Sequence, residues 1–230
     1  MTASHSHNDF ARVLNNLGTA YIYLGGAVNI QRAINYYEEA IKINIELFPS
    51  GIHKGIASNF NNLGLAYLKL GNTENLQCAI GNFEEALKIY RQIFPSGVNN
   101  DIATNLNNLG SAYGDLDGTE NLKRAIGYYE EALKILRQLF PGGVHSGISE
   151  NFNNLGMAYR NLGGPENMKR AIDYHEEALK IMHVQVPDGV NPRIPIMLNG
   201  LGKAHEKLRN QELAQWYFSE ERRVRAALGQ

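Results

Sequence analysis

Apolar residues recur along this chain at helical spacing, in blocks that themselves repeat. Leu14, Leu17, Gly18, Tyr21 and Leu24 fall three and four apart and share one helical face. A glycine-containing break follows, GGAVN from Gly25, and then a second face of Ala33, Ile34, Tyr37, Ala40 and Ile41. That block ends at FPSG from Phe48, where proline and glycine stop a helix and turn the chain. The unit then returns. NNLGTAY begins at Asn15, NNLGLAY at Asn61, NNLGSAY at Asn107, NNLGMAY at Asn153 and a worn NGLGKAH at Asn199, each 46 residues after the last. The breaks GNTEN, DGTEN and GGPEN and the exits FPSG, FPGG and VPDG keep step. Pro165 suits the first position of a helix, where its missing N–H costs nothing. No segment alternates with period two, so the pattern predicts an all-α chain of ten helices in five antiparallel pairs, an array rather than a single-centred domain.

Comparing the copies separates roles. Leu17, Gly18, Ala20 and Tyr21 recur at equivalent places in the first four copies, as do Ala33 and Ala40. Glycine inside a helix costs about 1 kcal/mol against alanine, so its recurrence predicts a close neighbour there. Glu38–Lys42, Glu84–Lys88, Glu130–Lys134 and Glu176–Lys180 are i,i+4 pairs, expected on a solvated outer face. The paired asparagines are less easily explained, since asparagine is a poor helix former and expensive to bury without partners.

Composition excludes more than it suggests. The 230 residues carry a net charge of −1, with 43% hydrophobic and 20% charged residues. That balance favours neither nucleic acid nor an anionic membrane. No apolar run approaches a membrane span, and MTASHSHNDF is not a signal peptide. Cys78 is the only cysteine, so no intrachain disulfide forms and a reducing, cytoplasmic location is expected.

Leu-Gly-x-x-Tyr in one helix, two alanines flanking an aromatic in the next, and then proline resemble the tetratricopeptide repeat. NNLGLAY…AIGNFEEALKIY…FP resembles in particular the long-repeat branch of kinesin light chains and nephrocystin-like arrays. The resemblance runs from about Asn8 to Leu228. It implies a right-handed superhelical α-solenoid after a flexible stretch at 1–7, with repeats at about 8–52, 53–98, 99–144, 145–190 and 191–230. The common repeat length is 34, and this one is longer in the turn, the second helix and the exit loop. The fifth copy lacks the three-residue turn insertion, and Glu221 stands where a small residue is expected, as in a polar capping helix. Trp216, Tyr217 and Phe218 are expected to pack that helix onto the array. The outer side of the first repeat lacks an obvious cap.

Little in the sequence points to catalysis. HEEAL at His175 lacks the second histidine of a zinc-protease helix, because Leu179 stands there. His175 takes the place of Tyr37 and reads as a packed histidine, and His205 replaces the repeated tyrosine. His53 and His145 alternate with Asn99 and Asn191 in equivalent loops, too far apart to share a metal. His5 and His7 could bind metal only adventitiously. There is no phosphate loop, nucleophile elbow or zinc spacing. The chain is therefore expected to be no enzyme, with no cofactor and no metal.

In tetratricopeptide arrays the first helices line the concave surface. By that resemblance Arg12, Asn16, Thr19 and Tyr23 look into a groove, followed by Ser58, Asn62, Leu65 and Lys69; Thr104, Asn108, Ser111 and Asp115; Glu150, Asn154, Met157 and Asn161; and Ile196, Gly200, Lys203 and Lys207. Asn16, Asn62, Asn108 and Asn154 match asparagines that related arrays place on bound peptides. Each amide has a donor and an acceptor end, so it can grip a peptide backbone while the variable neighbours supply specificity. The same asparagines could instead bond to the adjoining helix. Asn15, Asn61, Asn107, Asn153 and Asn199 are expected on the rim. A clamp for a C-terminal carboxylate needs lysines beside these asparagines, and the sequence has asparagine there. The leading function is a protein-interaction scaffold binding a peptide or protein segment in the groove. The alternatives are a peptide or small-ligand sensor module of a larger signalling protein, and an array that self-associates through its ends.

Overall fold

The computed structural model describes residues 2–187 and 191–230, without the side chains of residues 2–6 and 8. The expectations for the His5 side chain and for the DG of the fourth exit loop fall outside what is described. Ten helices and no strand occur among the described residues: α1 (Thr2–Leu24), α2 (Ala27–Leu47), α3 (Lys54–Leu70), α4 (Thr73–Ile93), α5 (Asn100–Gly114), α6 (Thr119–Leu139), α7 (Ser146–Leu162), α8 (Pro165–Gln185), α9 (Ile194–Lys207) and α10 (Gln211–Ala227). They form two compact units, Met1–Leu116 with α1–α5 and Asp117–Gln230 with α6–α10. In the first unit each helix packs on the next, and α1 also touches α3 and α3 touches α5. In the second, α6 to α10 pack in order and α7 touches α9. Pairing of sequence neighbours, with first helices side by side, is the layout of an α-solenoid.

The turns are built as the sequence suggests. In the FPSG and FPGG exits, the N–H of Gly51, Gly97 and Gly143 donates to the carbonyl of Phe48, Phe94 and Phe140 at 2.8–2.9 Å. Each of these glycines has φ near +70°, a region that disfavours a side chain.

At Gly18, Gly64, Gly156 and Gly202 the repeated glycine of the first helix is a contact with an aromatic ring of the second. A Cβ at Gly18 would lie 2.6 Å from the Tyr37 ring, and one at Gly64 would lie 2.6 Å from the Phe83 ring. Phe218 covers Gly202 in the same way, and His175 sits between Gly156 and Gly200. Bare glycine lets the ring lie on the helix backbone, and Ala33, Ala79, Ala125 and Ala171 are fully buried.

Two expectations need correction, one of the core and one of the outer face. Leu17 is 40% exposed, whereas Leu63, Leu109, Leu155 and Leu201 are 0–5% exposed. Those four are covered because α3, α5, α7 and α9 each pack on the preceding second helix, and α1 has none before it. The outer i,i+4 pairs also give way where the ion pairs are seen: Lys88 meets Glu85 at 3.3 Å and Lys180 meets Glu177 at 2.6 Å, both i,i+3. The first glutamate of each pair instead faces the next repeat. Tyr67 reaches Glu38 and Tyr113 reaches Glu84 at 3.5 Å, and Tyr159 reaches Glu130 at 3.3 Å.

At the C-terminal end, Phe218 packs on Gly202 and Tyr217 stacks on His205 at 5.4 Å, while Trp216 remains 54% exposed. Glu221 accepts from Asn199 Nδ2 and Arg225 Nε, both at 2.9 Å. Burial raises its pKa, but the two hydrogen bonds and the Arg225 charge outweigh that and hold it below the usual range.

Candidate functional site

The first-helix rows remain accessible where the sequence places the groove. Arg12, Asn16 and Tyr23 on α1, Lys69 on α3, Asp115 at the C-cap of α5, Met157 and Asn161 on α7, and Lys203 and Lys207 on α9 are exposed. Thr19, Ser58, Asn62, Leu65, Asn108, Ser111, Glu150 and Asn154 are half-buried. Gly200 is buried under His175. The first unit thus brings the rows of α1, α3 and α5 side by side, and the second those of α7 and α9.

The paired asparagines link one repeat to the next. Asn62 Nδ2 donates to Asn15 Oδ1 at 2.9 Å, and Asn108 Nδ2 donates to Asn61 Oδ1 at 3.0 Å. Asn61 also accepts from the buried Asn105 at 3.2 Å. Asn15 and Asn61 are therefore acceptors between first helices, whereas Asn153 Nδ2 turns to Met157 of its own helix and Asn199 Nδ2 donates to Glu221. The carboxamide explains the recurrence, since one end must donate and the other accept across the same interface. Neither Asn62 nor Asn108 uses its Oδ1 in a hydrogen bond among the described residues. The inter-repeat bond fixes each amide plane, leaving an oriented acceptor on a half-exposed residue.

Other groove residues have structural duties. Thr19 Oγ donates to the Asn15 carbonyl at 3.0 Å and lies 3.1 Å from Tyr37 Oη. Ser58 lies 3.2 Å from Tyr90 Oη, and Ser111 donates to the Asn107 carbonyl at 3.1 Å. Glu150 pairs with Arg193 of the next repeat at 3.1 Å, as Lys54 pairs with Asp101 at 2.7 Å. The hydrogen bond and charge of Asp101 raise the Lys54 pKa. Met157 Sδ accepts from the Asn153 amide of its own helix at 3.5 Å. Among the described residues the side chains of Leu65, Lys69, Met157 and Lys203 hydrogen-bond to no other repeat, and their places vary from copy to copy.

The loop histidines have a capping role that the sequence reading missed. His53 and His145 accept at Nδ1 from the N–H of Gly55 and Gly147, each at 3.1 Å. Asn99 and Asn191 accept from Asp101 and Arg193 at 2.7 and 2.9 Å. The shared signal was there, because both residue types present an acceptor two residues before the N–H it caps. His53 and His145 also stack on Phe48 and Phe140 at 3.7 and 3.6 Å. Burial pushes the His53 pKa down, in the direction that favours the neutral ring an accepting Nδ1 requires. Among the described residues, no three His, Cys, Asp or Glu side chains are grouped to hold a metal, and no helix is long and apolar enough to cross a membrane.

Residues 11–44 match the family model of the tetratricopeptide repeat. No curated protein sequence matches the chain. Among solved structures, the fold is similar to a putative kinesin light chain from Podosopora anserina with nearly identical TPR-like repeats, at 18% identity and a TM-score of 0.75, covering 96% of this chain and 97% of that one. It is similar to BtubC (BKLC) from P. vanneervenii, at 20% identity and a TM-score of 0.68, covering 100% and 93%. PilF of Pseudomonas aeruginosa follows at 19% and 0.62, covering 94% and 78%. These likenesses are of fold.

Proposed function

We propose that this tetratricopeptide-repeat protein is an interaction scaffold that holds an extended peptide segment of another protein along the first-helix face, its backbone N–H groups donating to the Oδ1 atoms of Asn62 and Asn108. The observation that carries this reading is the half-exposed amide held in one plane by its inter-repeat bond. An acceptor oriented before the ligand arrives loses little entropy on binding. In the first unit Asn16 occupies the equivalent place, and Arg12, Leu65, Lys69, Ser111 and Asp115 supply the side-chain selectivity; in the second unit Asn154 holds that place, with Met157, Asn161 and Lys203 beside it. The lysines of the fifth repeat favour an acidic stretch of ligand at that end. In this role the chain acts without catalysis or cofactor.

The test uses a displayed library of random peptides panned on the whole chain. Selected peptides are titrated calorimetrically against the wild type, Leu65→Glu and Met157→Glu. Both variants should keep their melting temperature and lose affinity at least about tenfold, the loss of roughly one buried contact of 1.4 kcal/mol. Peptides that bind all three proteins equally would place recognition elsewhere and refute the groove.

A further inference from the structure

The outward face of α1 is unlike every equivalent face in the array. Phe10 and Leu17 are 49% and 40% exposed, while Ile56, Ile102, Ile148 and Ile194 at the Phe10 place are each 1% exposed. With Val13, Ala20 and Leu24, which are also exposed, they form a stripe at intervals of three and four. A missing preceding repeat would leave such a stripe bare, but it would not explain the flanks. Tyr23 and Val28 are 87% and 71% exposed. Lys69, Asp115, Asn161 and Lys207 stand at the place of Tyr23 in the other repeats, and Glu74, Glu120 and Glu166 at the place of Val28, all exposed. A preceding repeat covers neither place in the inner repeats, so one would leave these two apolar side chains in solvent. Residues 13–31 contain no charged side chain. Depletion of charge marks the centre of protein interfaces.

From this we infer that α1 is a homodimer interface, in which the stripe packs antiparallel against the same stripe of a second copy about a twofold axis near Leu17. Two features select this occupant. Phe10 and Leu24 lie seven residues on either side of Leu17, and Val13 and Ala20 four before and three after, so a twofold axis near Leu17 sets Phe10 of one copy against Leu24 of the other and Val13 close to Ala20. Such a self-complementary patch is what an isologous interface requires. Head-to-tail stacking is disfavoured by the other end. The second-helix positions that face the next repeat, Ile34 and Ile41 in α2, correspond in α10 to the exposed Gln215 and Arg222. Placing α10 on α1 would bury those polar groups against Leu17 and Val13 without partners.

The experiment is sedimentation velocity of the full chain over a dilution series up to about 100 μM, a range that detects any self-association tighter than that. The wild type should show a dimer of 25.6 kDa chains. Leu17→Glu should weaken it by at least about 100-fold, since a carboxylate would enter the apolar seam twice. Thermal melts at a fixed low concentration show whether the monomer is still folded, and Val13→Lys is a second variant at an exposed position. Cys78→Ser with Leu17→Cys, treated with a short bis-maleimide, should cross-link two copies. A wild-type chain that stays monomeric overturns the inference, as would be seen if a different protein or a preceding segment covers α1. So does a dimer that survives both charge variants. A dimer that fails to cross-link at residue 17 overturns the twofold register.

Discussion

Replacing Gly64 by alanine pits two opposed effects against each other. Alanine in a helix interior is favoured over glycine by about 1 kcal/mol, so propensity alone predicts stabilisation. The new Cβ, however, would lie 2.6, 2.7 and 2.9 Å from Cε1, Cδ1 and Cζ of Phe83. That ring is fully buried, so it cannot swing into solvent. Overpacking of this kind costs about 1–3 kcal/mol, which leaves a net loss of about 0–2 kcal/mol. The internal control is Gly81, in α4, where an added methyl would have nothing within 4 Å. Gly81→Ala should gain up to about 1 kcal/mol, raising Tm by about 2–4 °C for a chain of this size. Gly64→Ala should leave Tm unchanged or lower it, and Phe83→Leu in the same chain should reverse part of that loss by opening room at the contact. Thermal melts of these variants beside the wild type decide the matter. If Gly64→Ala raises Tm as much as Gly81→Ala, the repeated glycine is not a ring contact.

His175 is buried with neither ring nitrogen hydrogen-bonded among the described residues; burial first, and then the Arg160 charge, push its pKa down to about 3. An unfolded histidine titrates near 6.5, so this contribution to stability is complete above that pH and falls as pH drops towards 3, by about 1.4 kcal/mol per unit for this one proton. His175→Phe should flatten that part of the stability–pH curve measured by urea melts between about pH 7 and pH 4, and an unchanged slope would refute the assignment. His53→Ala should cost about 1 kcal/mol through the lost cap, and His53→Asn should restore most of it because Asn99 and Asn191 cap in the same way. Asn61→Ala strands the amides of Asn105 and Asn108 and should destabilise by about 1–3 kcal/mol in thermal or urea melts, more than Asn62→Ala, which strands only Asn15 Oδ1.

The array was legible in the sequence because its period is global: five copies of one pattern fix helix number, turn positions and the inward faces of Leu63, Leu109, Leu155 and Leu201 together. Leu17 departed from that pattern because burial depends on a neighbour outside its own repeat. The asparagine pairs were half legible. Recurrence marked them, but only three-dimensional placement shows that Asn61 accepts from both Asn105 and Asn108 of the next first helix. Glu38, Glu84 and Glu130 were read as members of local pairs because i,i+4 spacing is visible in one helix, whereas their tyrosine partners lie 29 residues away. The candidate groove was placed by helical phase, and its rows are accessible apart from Gly200, whose burial follows from the packing of His175 onto it.

The most direct test of the proposed groove is amide hydrogen exchange on the full chain with and without a library-selected peptide. Exchange should slow only in the first helices, centred on residues 58–69 in α3 and 104–114 in α5, and that protection should be lost in Leu65→Glu. Protection that falls instead on α2, α4 or α8, with the first helices unchanged, would contradict the groove.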